Sequence, residues 1–88
     1  MVKGRIGKSK DLPGYWWAEC DAVGAYTQGT SREDALVMLA DCIEVLSDQP
    51  IKIVVTEAGP TDGDVVDVSI DCDDAAALAA LVDQRRRR

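Results

Sequence analysis

Residues 14–35, G-Y-W-W-A-E-C-D-A-V-G-A-Y-T-Q-G-T-S-R-E-D-A, constrain the fold of this chain more than any other stretch. Two alternating segments flank a turn and run straight into a helix start. Over residues 15–20 the side chains alternate, so Trp16, Ala18 and Cys20 point one way and Tyr15, Trp17 and Glu19 the other. Residues 21–24, D-A-V-G, supply turn formers, and residues 25–28 resume the strand pattern before Gly29. Ser31, with Asp34 three residues on, predicts an N-cap and its capping-box partner; Thr30 with Glu33 offers the same arrangement one residue earlier. Glu19 assigns Tyr15 and Trp17 to the outer face of their strand. Adjacent tryptophans on opposite faces cannot share one core layer. Trp17 and Tyr15 are therefore expected either at a subunit or partner surface or beneath a second helix.

Around this segment the periodicity predicts further elements. Val2, Gly4 and Ile6 alternate with Lys3, Arg5 and Gly7 as a first strand, and Pro13-Gly14 marks the turn that makes a hairpin of it. From Arg32 to about Ser47, Ala35, Leu36, Leu39, Cys42, Ile43 and Leu46 recur at three- and four-residue spacing, the stripe of an amphipathic helix. Gln49-Pro50 ends it. Residues 51–57 are β-branched and predict a strand, residues 58–64 with Gly59-Pro60 and Asp62-Gly63 a loop, and residues 65–70 a strand able to pair with the one before. Acidic residues at 71–74 then open an alanine- and leucine-rich helix that ends in four arginines, the polarity a helix dipole favours. These patterns by themselves predict an α+β protein, a sheet against helices.

The same segment carries a resemblance. Tyr15 or Trp16, Trp17, Ala18 and Glu19, then Asp21 and Gly24, then Thr27, Gln28 and Gly29, then Ser31, Glu33, Asp34 and Ala35 follow Y-W-A-E, D-L-P-G, T-Q-G and T-x-E-E-A in order and spacing. That signature is the one of the HicB-type antitoxin N-terminal domain and its small single-domain relatives, which this chain resembles over about half its length. Val23 stands where the family usually has proline, and Arg32 where it often has an apolar residue. The resemblance implies a partial ribonuclease-H-like β-β-β-α-β core over residues 1–57, with an added C-terminal strand and helix over residues 65–88. It also implies a function: a non-enzymatic protein that binds and occludes a small basic mRNA-cleaving toxin of the HicA type. Tyr15, Trp17, Glu19 and Tyr26 are expected near the toxin. HicB-type antitoxins commonly carry a C-terminal operator-binding domain, but only a strand and one helix follow Val65, so no complete DNA-binding domain is expected.

Composition bears on the same question. A chain of 88 residues is read as a single domain of marginal stability, for which self-association into a homodimer or homotetramer is the expected supplement. The narrow stripe Leu78, Leu81 and Val82 on the last helix is the expected subunit contact. Formal charge is −6, and residues 85–88 hold four of the ten basic residues, leaving six against 16 acidic ones in the body. Such a body repels phosphate and attracts a cationic protein. Cys20, Cys42 and Cys72 are odd in number and far apart, without metal-ligand spacing, and are read as reduced core thiols. With no apolar leader or spanning stretch, a cytoplasmic location is expected.

No histidine is present, which removes the commonest general base and the dyads built on it. Glu19, Asp21, Glu57 and Asp71 are the carboxylates a two-metal nuclease on this scaffold would have to gather. Asp62, Asp64, Asp67, Asp71, Asp73 and Asp74 form an acidic run without the spacing of a calcium loop, so a solvated loop and helix start account for it. Neither enzyme activity nor a metal or cofactor is expected. The alternative to the antitoxin is an orphan structural or regulatory oligomeric domain with no toxin partner.

Overall fold

A computed structural model describes residues 2–47, 50–62 and 65–86. The alternation at the N-terminus forms a hairpin: Val2–Lys8 (β1) and Trp16–Cys20 (β2) pair antiparallel, with Arg5 opposite Glu19 and Gly7 opposite Trp17. Ser9 closes the connection by donating its N–H to the Tyr15 carbonyl at 2.9 Å, while its Oγ accepts from Leu12 N at 3.1 Å. After a single 3-10 turn at Asp21–Val23, Ala25–Gly29 (β3) returns along β2 and brings Tyr26 opposite Glu19.

The helix Arg32–Leu46 (α1) starts where the first of the two capping options predicts. Ser31 Oγ accepts from Asp34 N at 3.0 Å, and the Asp34 carboxylate accepts from Thr30 N at 2.8 Å, which satisfies two backbone donors at the helix entrance. Ser31→Ala is expected to lower unfolding free energy by about 1 kcal/mol, read as a shift in urea midpoint at unchanged slope. Ala35, Leu39 and Ile43 are its buried residues. The helix contacts both β3 and the later strand Ile53–Asp62 (β4), which lie at opposite edges of the sheet, so the sheet curls around it.

β4 pairs antiparallel with Val65–Cys72 (β5), and the helix Ala75–Arg86 (α2) follows. The protein is thus α+β: one five-stranded sheet in the order β3-β2-β1-β5-β4, every neighbouring pair antiparallel, with two helices. Two features differ from the sequence patterns. Residues 58–62, read as loop, continue β4; a register shift between Glu57 and Thr61 absorbs the irregularity, and an edge strand is where proline is tolerated. The rest of that loop, Gly63 and Asp64, lies outside the described residues, as do Asp48 and Gln49 after α1 and the last two arginines. Second, the strand that the family resemblance implies as an addition is central. β5 lies between β1 and β4, so the fourth strand of the expected core reaches β1 only through it. Val66, Val68 and Ile70 fit the placement: all three are buried, as inward residues of a strand with a neighbour on each side are.

Those residues, with Ile6, Ala18, Cys20, Leu39 and Ile43, belong to one core between the sheet and α1. Cys20 is fully buried, and burial pushes its thiol above the ordinary value; Cys42 and Cys72 are free and pack at the margin of the core. α2 lies against β5 and the 3-10 turn, with Asp74 Oδ1 accepting from Ala77 N at 3.1 Å at its entrance. Asp73 ties this junction to the chain before β4. Its carboxylate accepts from Lys52 N at 3.0 Å, which holds its pKa below the usual carboxylate value.

The two edges of the sheet differ. On β4, the Glu44 carboxylate accepts from Ile53 N at 3.1 Å, and Arg32 grips Glu57 through two hydrogen bonds, one of 2.7 Å from Nη2 to Oε2. Charged side chains on both sides of Val55 thereby guard that edge. Among the described residues β3 has no such guard.

Candidate functional site

The period-two alternation of β1, β2, β3 and β5 decides which side chains share the outer face. Cross-strand register places Tyr26, Glu19, Arg5 and Asp67 in one row across β3, β2, β1 and β5, and Gln28, Trp17, Gly7 and Val65 in the next. Arg5, Trp17, Glu19, Tyr26 and Val65 line a shallow groove of about 370 Å³ on this face. Among the described residues no helical residue lines it. The alternative that a second helix covers Trp17 is therefore not what the fold does.

Each groove residue is set by its neighbour. Trp17 is half-buried because its indole lies across Gly7, where a Cβ would come within 2.4 Å of the ring. A residue without a side chain lets the ring lie flat instead of standing into solvent. Arg5 Nη2 donates to Glu19 Oε1 at 2.6 Å, so the middle of the groove is a charge-assisted pair, with its two side chains 54% and 23% exposed. Tyr26, on the edge strand, is 61% exposed. An aromatic wall, a carboxylate already holding one guanidinium and a free phenol suit a cationic side chain from a partner: it can exchange with Arg5 at Glu19 and stack on Trp17 or Tyr26.

Of the four residues expected near a partner, the fold brings three, Trp17, Glu19 and Tyr26, into this groove. Tyr15 is exposed just before β2 and does not line it. Arg5 and Val65 were missed as groove residues; strand alternation puts both on the outer face, but only the pairing of β1 with both β2 and β5 puts them beside Trp17. The contact stripe expected on α2 is met largely within the chain. Leu78 is 4% exposed and lies in the core, while Leu81 and Val82 are half-buried against it.

The four nuclease carboxylates do not gather in one place. Glu19, paired with Arg5, shares a small outer hollow with Asp21 and Asp67, but Glu57 is held by Arg32 at the β4 edge and Asp71 lines a different hollow, beside α2. Among the described residues no group of three or more histidine, cysteine, aspartate or glutamate side chains is placed to hold a metal ion. Nor is any described helix long and apolar enough to cross a membrane. No protein-family model, curated protein or solved structure matches the chain.

Proposed function

We propose that this protein is a HicB-like antitoxin or its stand-alone relative, a cytoplasmic binding protein that neutralises a small basic HicA-type ribonuclease by covering its RNA-binding face. The observation that carries the reading is the helix-free face of the sheet, where Trp17, Glu19 and Tyr26 come together around the Arg5 guanidinium. A basic RNA-binding surface offers lysine and arginine side chains, and this groove presents the aromatic faces and carboxylate that receive them. The formal charge of −6 steers such a toxin toward the chain and RNA away from it. On this reading β1, β2, β3, α1 and β4 are the partial ribonuclease-H-like unit of that family, into which β5 has been inserted. The signature residues in β2, β3 and the start of α1 support it, because they place the groove and the capped helix entrance on either side of one hairpin.

Co-expression tests the proposal. A small basic HicA-type protein encoded beside this gene is expected to arrest growth alone and not with this chain. Glu19→Lys, which sets a cation against Arg5 and against the toxin, is expected to weaken binding about tenfold or more and restore the arrest, with the circular dichroism spectrum unchanged. Growth arrest that is the same with and without the wild-type chain overturns the reading and leaves the orphan oligomeric domain.

A further inference from the structure

The outward edge of β3 is the part of the sheet that the fold leaves open. We infer that two copies of this chain pair through it, β3 against β3 in antiparallel register about a two-fold axis at Thr27, to make one continuous sheet across the dimer. Among the described residues no side chain or loop donates to or accepts from the backbone along that edge, whereas the β4 edge is occupied by Glu44 and flanked by the Arg32–Glu57 pair. An open row of amides and carbonyls is a template for another strand.

Charge selects the second copy as the occupant. Each chain carries a formal −6, so two copies repel over most of their surface. β3 reads A-Y-T-Q-G, five residues without a charge, and is the one edge where like-charged copies meet without opposing carboxylates. Its residues are also complementary to themselves. With Thr27 opposite Thr27, Tyr26 faces Gln28 of the second chain twice over, a phenol beside an amide that both donates and accepts. On the inner side, the flank of α1 turned away from β4 exposes Met38 and Val45, the latter 82% exposed; the two-fold sets this flank beside its own copy. Pairing at β3 sets Gln28 of the second chain beside Tyr26 but leaves Trp17 and Glu19 open on each chain, so it stands whether or not those two residues bind a toxin.

Sedimentation equilibrium of the full chain tests the inference. The wild type is expected at twice the mass of one chain. Gln28→Glu and Gln28→Lys, each placing like charges across the two-fold, are expected to weaken self-association about tenfold or more, and mixing the two variants to restore it. Hydrogen exchange of the wild type gives a second readout that needs no substitution: alternate amides of β3 gain protection as concentration rises. A monomeric wild type, or a dimer that both substitutions leave intact with β3 amides exchanging at the same rate at every concentration, overturns it. Loss of self-association in these variants with toxin neutralisation intact separates this edge from the groove.

Discussion

Leu39→Ala is expected to lower the unfolding free energy by about 3 kcal/mol. Leu39 is fully buried at the centre of the stripe that Ala35 and Ile43 continue, and it faces the strands on which Ile6, Val66 and Val68 are also buried. The loss has two parts, the transfer free energy of the removed carbons and the cavity they leave. Collapse of that cavity is resisted here because α1 is held at both flanks, by β3 on one side and by Glu44 and Arg32 reaching to β4 on the other. A domain of this size has only about 5–10 kcal/mol to lose, so the variant should melt well below the wild type and show a much lower urea midpoint at a similar slope. A shift of less than about 1 kcal/mol would mean that α1 does not seat in the sheet as described. Val45→Ala, on the exposed flank of the same helix, is the control and is expected to fall within about 0.5 kcal/mol of wild type for the monomer.

Gly29→Val is expected to cost almost as much, about 3 kcal/mol, while the chemically identical change Gly7→Val costs far less stability but disables the groove. The difference lies in what the new carbon meets. At Gly29 a Cβ would come within 2.5 Å of the Ala35 nitrogen and 2.8 Å of its Cα, both backbone atoms of the first turn of α1. Relief requires the helix to lift off β3, which breaks the capped entrance at Ser31 and opens the core beneath Ala35. At Gly7 the obstacle is the Trp17 indole, a side chain on the helix-free face with solvent beside it. The ring swings out and the fold survives. Gly7→Val should therefore keep most of the unfolding free energy, shift tryptophan emission to the red, and weaken binding of a basic partner about as much as Glu19→Lys does. If Gly29→Val proved as mild as Gly7→Val, the close seat of α1 on β3 would be wrong.

These paired changes also show what a linear reading reaches. The clash at Gly29 is nearly legible in the chain, since a strand ending in Gly-Thr-Ser and opening a capped helix leaves three residues in which to turn back on itself. The clash at Gly7 is not, because the ring that fills the space comes from a residue ten positions later, across a hairpin whose register only the pairing sets. The same divide runs through the site. Glu19 placed Trp17 on the outer face by alternation alone, but Arg5 and Val65 entered the groove through long-range pairing. On α2, the stripe Leu78, Leu81 and Val82 was visible as a stripe; whether it faced a subunit or its own core depended on where β5 and the 3-10 turn lay.

Period and punctuation by themselves determined that this chain is α+β, that α1 spans a buried stripe entered by a cap at Thr30 or Ser31, and that β1, β2 and β3 follow one another in short connections, because those features rest on residues within a few positions of one another. Tertiary structure alone decided that β5 lies inside the sheet with β4 at its guarded edge, that residues 58–62 remain strand in spite of a glycine and a proline, and that β3 forms the other edge. A strand's neighbour is chosen by which apolar face the whole sheet can bury and by which backbone groups remain unpaired once it has. No short window of sequence contains that balance.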